Sequence, residues 1–248
     1  MVLCAVTGEL GAGKTLFATY LVWNNFYYKK RKIATNYTIY GIPFYRIRTL
    51  EQFFKFIPEK ETEDEILKGE EKAFFGDDFW RFISSRMIGM GSKQKNEMIN
   101  RILMASRKAF VTVYYTTQLF SMIDKNIREI TDLLFKPTLG GNMQYCKAYV
   151  YGVIEGKLLQ PMQPIYFWTE PIFAIYNTFE RAGDIDIENP DSELVEEFHP
   201  IEENPAWKRY CMINLGIDIN SEEYLKKCKE VEEGLGLSEV RKKYEKKA

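Results

Sequence analysis

An α/β fold, a mostly parallel sheet with helices on both faces, is predicted by three features of this chain. Residues 8–15 read GELGAGKT directly after an apolar run at 2–6, which is the pattern G-x-x-x-x-G-K-[ST] in its strand–turn–helix setting. Segments of strand character alternate with helical ones, the order that lays strands parallel beneath crossover helices. A further apolar run, residues 73–76, ends in the acid pair Asp77-Asp78.

Each element has its own signal. Residues 2–6 form the first strand. Residues 16–28 follow as a helix, with Leu16, Tyr20, Leu21, Trp23 and Tyr27 at helical spacing. Lys29-Lys30-Arg31-Lys32 suit the negative end of its dipole. Residues 32–36 read as the second strand, and Gly41 and Pro43 mark a loop. Thr49 and Gln52 stand in capping-box positions before another helix. The acidic stretch 59–71 reads as a surface connector. Residues 72–76 are the third strand, 79–90 and 95–108 are helical, and 110–117 (FVTVYYTT) is the clearest strand in the chain. A fifth strand is expected at 133–137. From 145 to 168 the pattern turns to β-rich segments split by the hairpin signal Glu155-Gly156-Lys157, and 173–176 closes the core.

Composition then shifts. Residues 183–204 are acidic, carry Pro190 and Pro200, and read as a linker between a domain at 1–182 and a helical appendage at 205–248. Helical stretches are expected at 206–215, 221–234 and from 238 onward, with Tyr224, Leu225, Cys228 and Val231 on one face. The basic run from Ser238 to Lys247 reads as a solvated helix face, with a protein partner or DNA as the alternatives.

Composition also excludes several chemistries. A hydrophobic content of 46% over 248 residues supports a folded domain with a modest appendage. The net charge of −1 argues against a wholly basic nucleic-acid coat, but permits a local basic groove. The four cysteines (Cys4, Cys146, Cys211, Cys228) show no pairing pattern and fit a reducing interior. The single histidine, His199, lies in an acidic loop and reads as solvated, which closes off Ser-His and Cys-His couples. The chain contains no charge-free run of eighteen apolar residues, so a soluble protein of the cytoplasm (the host cytoplasm if viral) is expected.

The candidate chemistry is that of a nucleoside triphosphate. The loop glycines Gly8, Gly11 and Gly13 bring bare N–H groups against phosphate oxygens. Glu9, Leu10, Ala12 and Leu16 complete the cradle through their backbone. Lys14 reaches the β- and γ-phosphates, Thr15 supplies a hydroxyl to Mg²⁺, and the helix start adds positive partial charge. Asp77 is expected to hold Mg²⁺ and Asp78 to activate water. Asp78 stands where many hydrolysing ATPases carry Glu, one methylene longer. Gln118, after Thr116-Thr117 at the end of a strand, is placed where open parallel sheets hold ligands.

Together the run 8–15, Thr35-Asn36, and Gly76-Asp77-Asp78 with Phe79-Trp80 and Ser85-Arg86 resemble the HerA/FtsK-like clan of P-loop ATPases. Arg107-Lys108, Thr116-Thr117-Gln118 and residues 123–128 (IDKNIR) continue the likeness. It is closest to the zonula occludens toxin-like (Zot-like) ATPases of filamentous phages and of archaeal viruses and plasmids, and covers residues 1–180. The resemblance implies a RecA-like sheet with an extra strand between the P-loop strand and the acidic strand, tipped by Gln118. It also implies ATP and Mg²⁺, a homo-oligomeric ring such as a hexamer, double- or single-stranded DNA as partner, and a capsid or other virion protein. An arginine from a neighbouring subunit would be Arg86, Arg107 or Arg128. Phage Zot proteins commonly carry a transmembrane segment after the ATPase domain and this chain shows none, which favours a soluble packaging or translocation motor over extrusion. Two other readings stay open: a P-loop kinase acting on a small acceptor, and a nucleotide-binding regulatory switch. No N/T-K-x-D motif supports a GTPase.

Overall fold

The computed structural model describes residues 2–57, 71–78, 111–180 and 193–245. The expected helices at 79–90 and 95–108, the connector 59–70, and Arg86 and Arg107 lie outside these residues.

The strands are β1 (Leu3–Thr7), β2 (Lys32–Thr35), β3 (Phe44–Arg46), β4 (Lys72–Gly76), β5 (Val111–Thr117), β6 (Leu133–Leu139), β7 (Tyr145–Ile154), β8 (Lys157–Pro161), β9 (Ile165–Trp168) and β10 (Glu196–Glu197). The helices are α1 (Lys14–Tyr27), α2 (Leu50–Phe56), α3 (Lys125–Ile130), α4 (Thr169–Ala174), α5 (Pro205–Tyr210), α6 (Glu222–Gly234) and α7 (Ser238–Glu245).

One sheet runs β10-β3-β2-β4-β5-β1-β6-β7-β8, with β9 also on β7. From β3 to β6 every pairing is parallel, and the outer strands add antiparallel edges. β5 lies between β1 and β4, which is the inserted strand that the resemblance implies. The chain has the RecA-like α/β P-loop architecture.

Alternation along β1 divides the core. Cys4 and Val6 face α1, where Phe17 packs on Phe135 at 5.2 Å and Tyr20 stacks on Phe167 at 4.2 Å. Leu3 and Ala5 face the opposite layer, with Phe53 of α2 and Ile127 of α3. The α2 capping box forms as its sequence predicts, with Gln52 N–H donating to Thr49 Oγ1 at 3.1 Å. The Glu155-Gly156 turn also forms, with both residues at positive φ.

The C-terminal residues depart from the expected layout. Within 193–204, read as linker, Glu196 and Glu197 pair with β3, and Ile201 and Asn204 are fully buried. The Asn204 carboxamide donates to the carbonyls of Ala174 and Tyr176 at 2.8 and 2.9 Å, and its oxygen caps α5. Trp207, Tyr224, Cys228 and Leu237 share one core with Phe17 and Val22 of α1. Trp23 Nε1 donates to Leu235 O at 2.9 Å. A short edge strand and an apolar seam thus bind 193–245 to the sheet layer, while 183–192 of the expected linker lie outside the described residues.

Two smaller expectations also change. Leu225 is exposed, and Glu232 joins Tyr224, Cys228 and Val231 on the buried face of α6. His199 is not simply solvated: it lies against the rings of Tyr40 and Phe44, with Nε2 3.2 Å from Glu197.

Candidate functional site

Parallel strands deliver their carboxyl ends to one rim, and the register fixes what meets there. Thr7 is level with Thr117, and Gly76 with Tyr115, so the residues that follow β1, β4 and β5 converge.

The loop after β1 closes on itself through Ala12 N–H to Glu9 O at 3.2 Å. Gly13 precedes α1 at φ 85°, a left-handed conformation that suits glycine. A β-carbon there would also lie 3.0 Å from Leu139 of β6, so the close approach needs glycine twice over. α1 has no side-chain cap and no acidic residue in its first turn. Its leading N–H groups are thus left for an external acceptor, at the positive end of the helix dipole. Lys14 Nζ donates to Glu9 O at 3.1 Å, folded over the loop. Leu10 is at the exposed tip, while the side chain of Leu16 lies in the core, leaving only its backbone for a ligand.

Asp77 follows β4 and is held from three sides. Its Oδ2 accepts from Thr15 Oγ1 at 3.0 Å and its Oδ1 from Thr116 Oγ1 at 2.8 Å. Asn36, fully buried at the end of β2, grips its backbone: Oδ1 accepts from Asp77 N–H at 2.7 Å, and Nδ2 donates to Asp77 O at 2.8 Å. Burial pushes the Asp77 carboxyl above the usual carboxylate range and Asp78 adds to the rise, while the Thr116 and Thr15 hydroxyls and Lys14 oppose it. A desolvated carboxylate beside a hydroxyl, both hard oxygen donors, is the ligand chemistry that suits Mg²⁺.

Asp78 adopts φ 47°, a conformation uncommon outside glycine. Its N–H donates to Thr116 Oγ1 at 2.7 Å. The Thr116 hydroxyl therefore ties both carboxylate residues to the tip of β5. Next to it, Gln118 is exposed, and its carbonyl accepts from Thr7 Oγ1 at 3.0 Å, which fixes it beside the start of the loop.

Arg128 lies elsewhere. The β-carbon position of Gly156 is 3.7 Å from it, and its helix leads into Asp132, whose carboxylate accepts from Leu3 N–H at the amino end of β1. Arg128 is thus at the opposite rim from Lys14 and takes no part in its own chain's cradle; its Nε is buried with no hydrogen-bond partner among the described residues.

Sequence reasoning placed the loop, Asp77 and Gln118 on one rim. It gave no role to Asn36 or to the Thr116 hydroxyl. A polar side chain ending a buried strand is the signal both carry.

No family model and no curated protein sequence matches the chain. Solved structures do. The N-terminal domain of zonular occludens toxin from Neisseria meningitidis aligns over 71% of this chain and 98% of its own, at 16% identity and a TM-score of 0.44. The genome packaging NTPase of Sulfolobus turreted icosahedral virus 2, in complex with ATP-gammaS, aligns over 66% and 98%, at 10% identity and a TM-score of 0.39. A KaiC-like protein from Pyrococcus horikoshii aligns over 66% and 83%, at 13% identity and a TM-score of 0.33. The architecture stands on the strand order and rim geometry described above. Among the described residues no helix is long and apolar enough to cross a membrane.

Proposed function

We propose that this chain is an ATP-hydrolysing motor of the HerA/FtsK-like type, moving DNA for genome packaging or virion morphogenesis of a virus or mobile element. The observation that carries the reading is the joint engagement of Asp77 by Thr15 and Thr116, with Gln118 tied to Thr7. Phosphate cradle, acid pair and amide-bearing tip thus share one rim.

In this reading the loop amides and Lys14 hold the phosphates. Thr15 and Asp77 hold Mg²⁺, which supplies charge neutralisation at the phosphate oxygens. Asp78 accepts a proton from the attacking water, and Gln118 orients that water. Arg128, or Arg86 or Arg107, serves a neighbouring subunit's site in a ring. A capsid or other virion protein receives the moved DNA.

The experiment is the steady-state ATPase rate in Mg²⁺ with and without double-stranded DNA, alongside solution mass, for wild type and Lys14→Ala. The expected result is DNA-stimulated hydrolysis by an oligomer, abolished by the substitution. A monomer whose hydrolysis ignores DNA at every salt concentration overturns the motor reading. Phosphate transfer to a small acceptor points to a kinase instead.

A further inference from the structure

The antiparallel extension β6–β7–β9 has two unlike faces. Cys146, Ala148 and Val150 of β7 face α1 and are buried, whereas Tyr145, Lys147, Tyr149 and Tyr151 alternate with them on the other side. Register sets Lys147 opposite Tyr166 and Tyr145 opposite Trp168 on β9, and Tyr149 opposite Lys136 on β6. Directly paired residues point to the same face. The outcome is a grid of rings and ammonium groups.

These rings are open to solvent: Trp168 is 70% exposed, Tyr166 58%, Tyr145 46% and Tyr149 37%. A folded protein seldom leaves so many adjacent aromatics uncovered without a partner for them. Lys147 Nζ lies 4.3 Å from the Tyr149 ring centroid and 5.5 Å from that of Tyr166, and Lys136 Nζ lies 5.2 Å from that of Tyr151. From residue 133 to 168 the sequence has one acid, Glu155 in the β7–β8 turn, against Lys136, Lys147 and Lys157. The segment is locally basic in a chain of net charge −1.

We propose that this face binds single-stranded nucleic acid, its bases stacking on Tyr149, Tyr166 and Trp168 and its phosphates meeting Lys136 and Lys147. Exposed π-faces accept any base, and ammonium groups between them meet the backbone; sheet faces carrying aromatics are suited to this task. Alternate residues on a strand are about 6.8 Å apart, so neighbouring rungs present separate platforms along the strand. A protein partner is less well served, because lysine is depleted at the centres of such interfaces. The inference concerns a different surface from the phosphate cradle and stands or falls apart from the motor reading.

The test is fluorescence anisotropy of a labelled thirty-nucleotide oligothymidine with the full chain, over a salt series. Wild type and Lys14→Ala are expected to bind alike. Tyr149→Ser/Tyr166→Ser is expected to weaken binding at least tenfold while the chain stays folded, with the thermal midpoint lowered only by the loss of ring contacts with Lys147. Tyr149→Phe/Tyr166→Phe keeps the platforms and is expected to restore affinity. Lys147→Ala should reduce the slope of log affinity against log salt by about 0.7, one phosphate's worth. Tryptophan emission should be quenched by the oligonucleotide in wild type and not in Trp168→Phe. Equal binding by wild type and the serine pair overturns the proposal, as does absence of binding by wild type at low salt. It is equally overturned if the serine pair abolishes self-association in sedimentation while oligonucleotide binding is retained, since the face is then a subunit contact.

Discussion

Thr15 Oγ1 donates a hydrogen bond of 3.0 Å to Asp77 Oδ2 across 62 residues of sequence. The hydroxyl belongs to the first turn of α1 and the carboxylate follows a strand on the far side of β5. Their meeting requires that β1, β5 and β4 be parallel neighbours of matched length. The arrangement works against the Asp77 charge: burial disfavours it, and the Thr116 and Thr15 hydroxyls and Lys14 offset only part of the loss.

Asp77→Asn should therefore separate stability from activity. A neutral amide keeps the size of the side chain and removes the desolvated charge. We expect a gain on the order of 1 kcal/mol, about 2–4 °C in Tm for a chain of this size. ATP hydrolysis should fall by about 100-fold or more, because in the proposed site Mg²⁺ would lose an anionic ligand. Differential scanning calorimetry paired with steady-state ATPase rates checks both. A lower Tm than wild type would show that the carboxylate stabilises the fold.

Thr116→Val tests the hydroxyl that joins the acid pair. It leaves Asp78 N–H without its acceptor and Asp77 Oδ1 without its donor. The expected loss is about 2 kcal/mol, with a fall in kcat of tenfold or more and little change in KM for ATP, since the phosphate cradle is untouched. Thr116→Ser, which retains both bonds, should recover most of the rate. Equal rates for the valine and serine variants would remove Thr116 from the mechanism.

The sequence made the local parts of this site legible and left the long-range ones obscure. The loop 8–15 is a contiguous pattern whose geometry depends on its own glycines, and the Glu155-Gly156 turn is equally self-contained. The place of β5 between β1 and β4 came from family resemblance, because periodicity says nothing about strand order. Asn36 and Thr116 act through partners 41 and 39 residues away, and no local pattern distinguishes them from other polar residues that end strands. The acidic stretch 193–204 misled for a different reason: composition cannot tell a linker from an edge strand whose partner, β3, lies some 150 positions earlier. In α6 the buried face follows the spacing 224, 228, 231, 232, so an ion-paired glutamate takes the place that hydrophobicity assigned to Leu225.

Gln118→Ala tests the amide-bearing tip. The tie to Thr7 uses the Gln118 backbone carbonyl, so alanine keeps the strand end in place and removes only the side chain. Nucleotide binding, read by equilibrium titration with a fluorescent ATP analogue, should match wild type. Single-turnover hydrolysis should slow by about 100-fold, within the range for a lost water-orienting or proton-transfer group. Loss of binding instead would mean that Gln118 supports the cradle and not the chemistry.

Arg241 provides a test of how the C-terminal helices are held. Its guanidinium donates to Glu202 at 2.6 and 3.0 Å, to Glu232 at 3.1 Å and to Glu245 at 2.7 Å, which joins α7 to α6 and to the turn before α5. Glu232 is buried, and its carboxyl is raised by that burial and by Glu202 and Glu245, against the pull of Arg241. Arg241→Ala removes the charge that opposes this rise, so the folded-state value climbs further. A carboxyl raised in the folded state binds more protons there than in the unfolded chain. Stability therefore falls as pH climbs through the interval between the two values and is recovered as pH falls. We expect Arg241→Ala to lose about 1–2 kcal/mol at pH 7, less than for a fully buried pair because Arg241 keeps part of its surface in water. The deficit should shrink as pH falls from 7 toward the ordinary carboxylate range, and Arg241→Ala/Glu232→Gln should reduce that pH dependence. Thermal melts of the three proteins between pH 5 and 7 provide the comparison; a deficit of constant size across that range would show that Arg241 acts by packing alone.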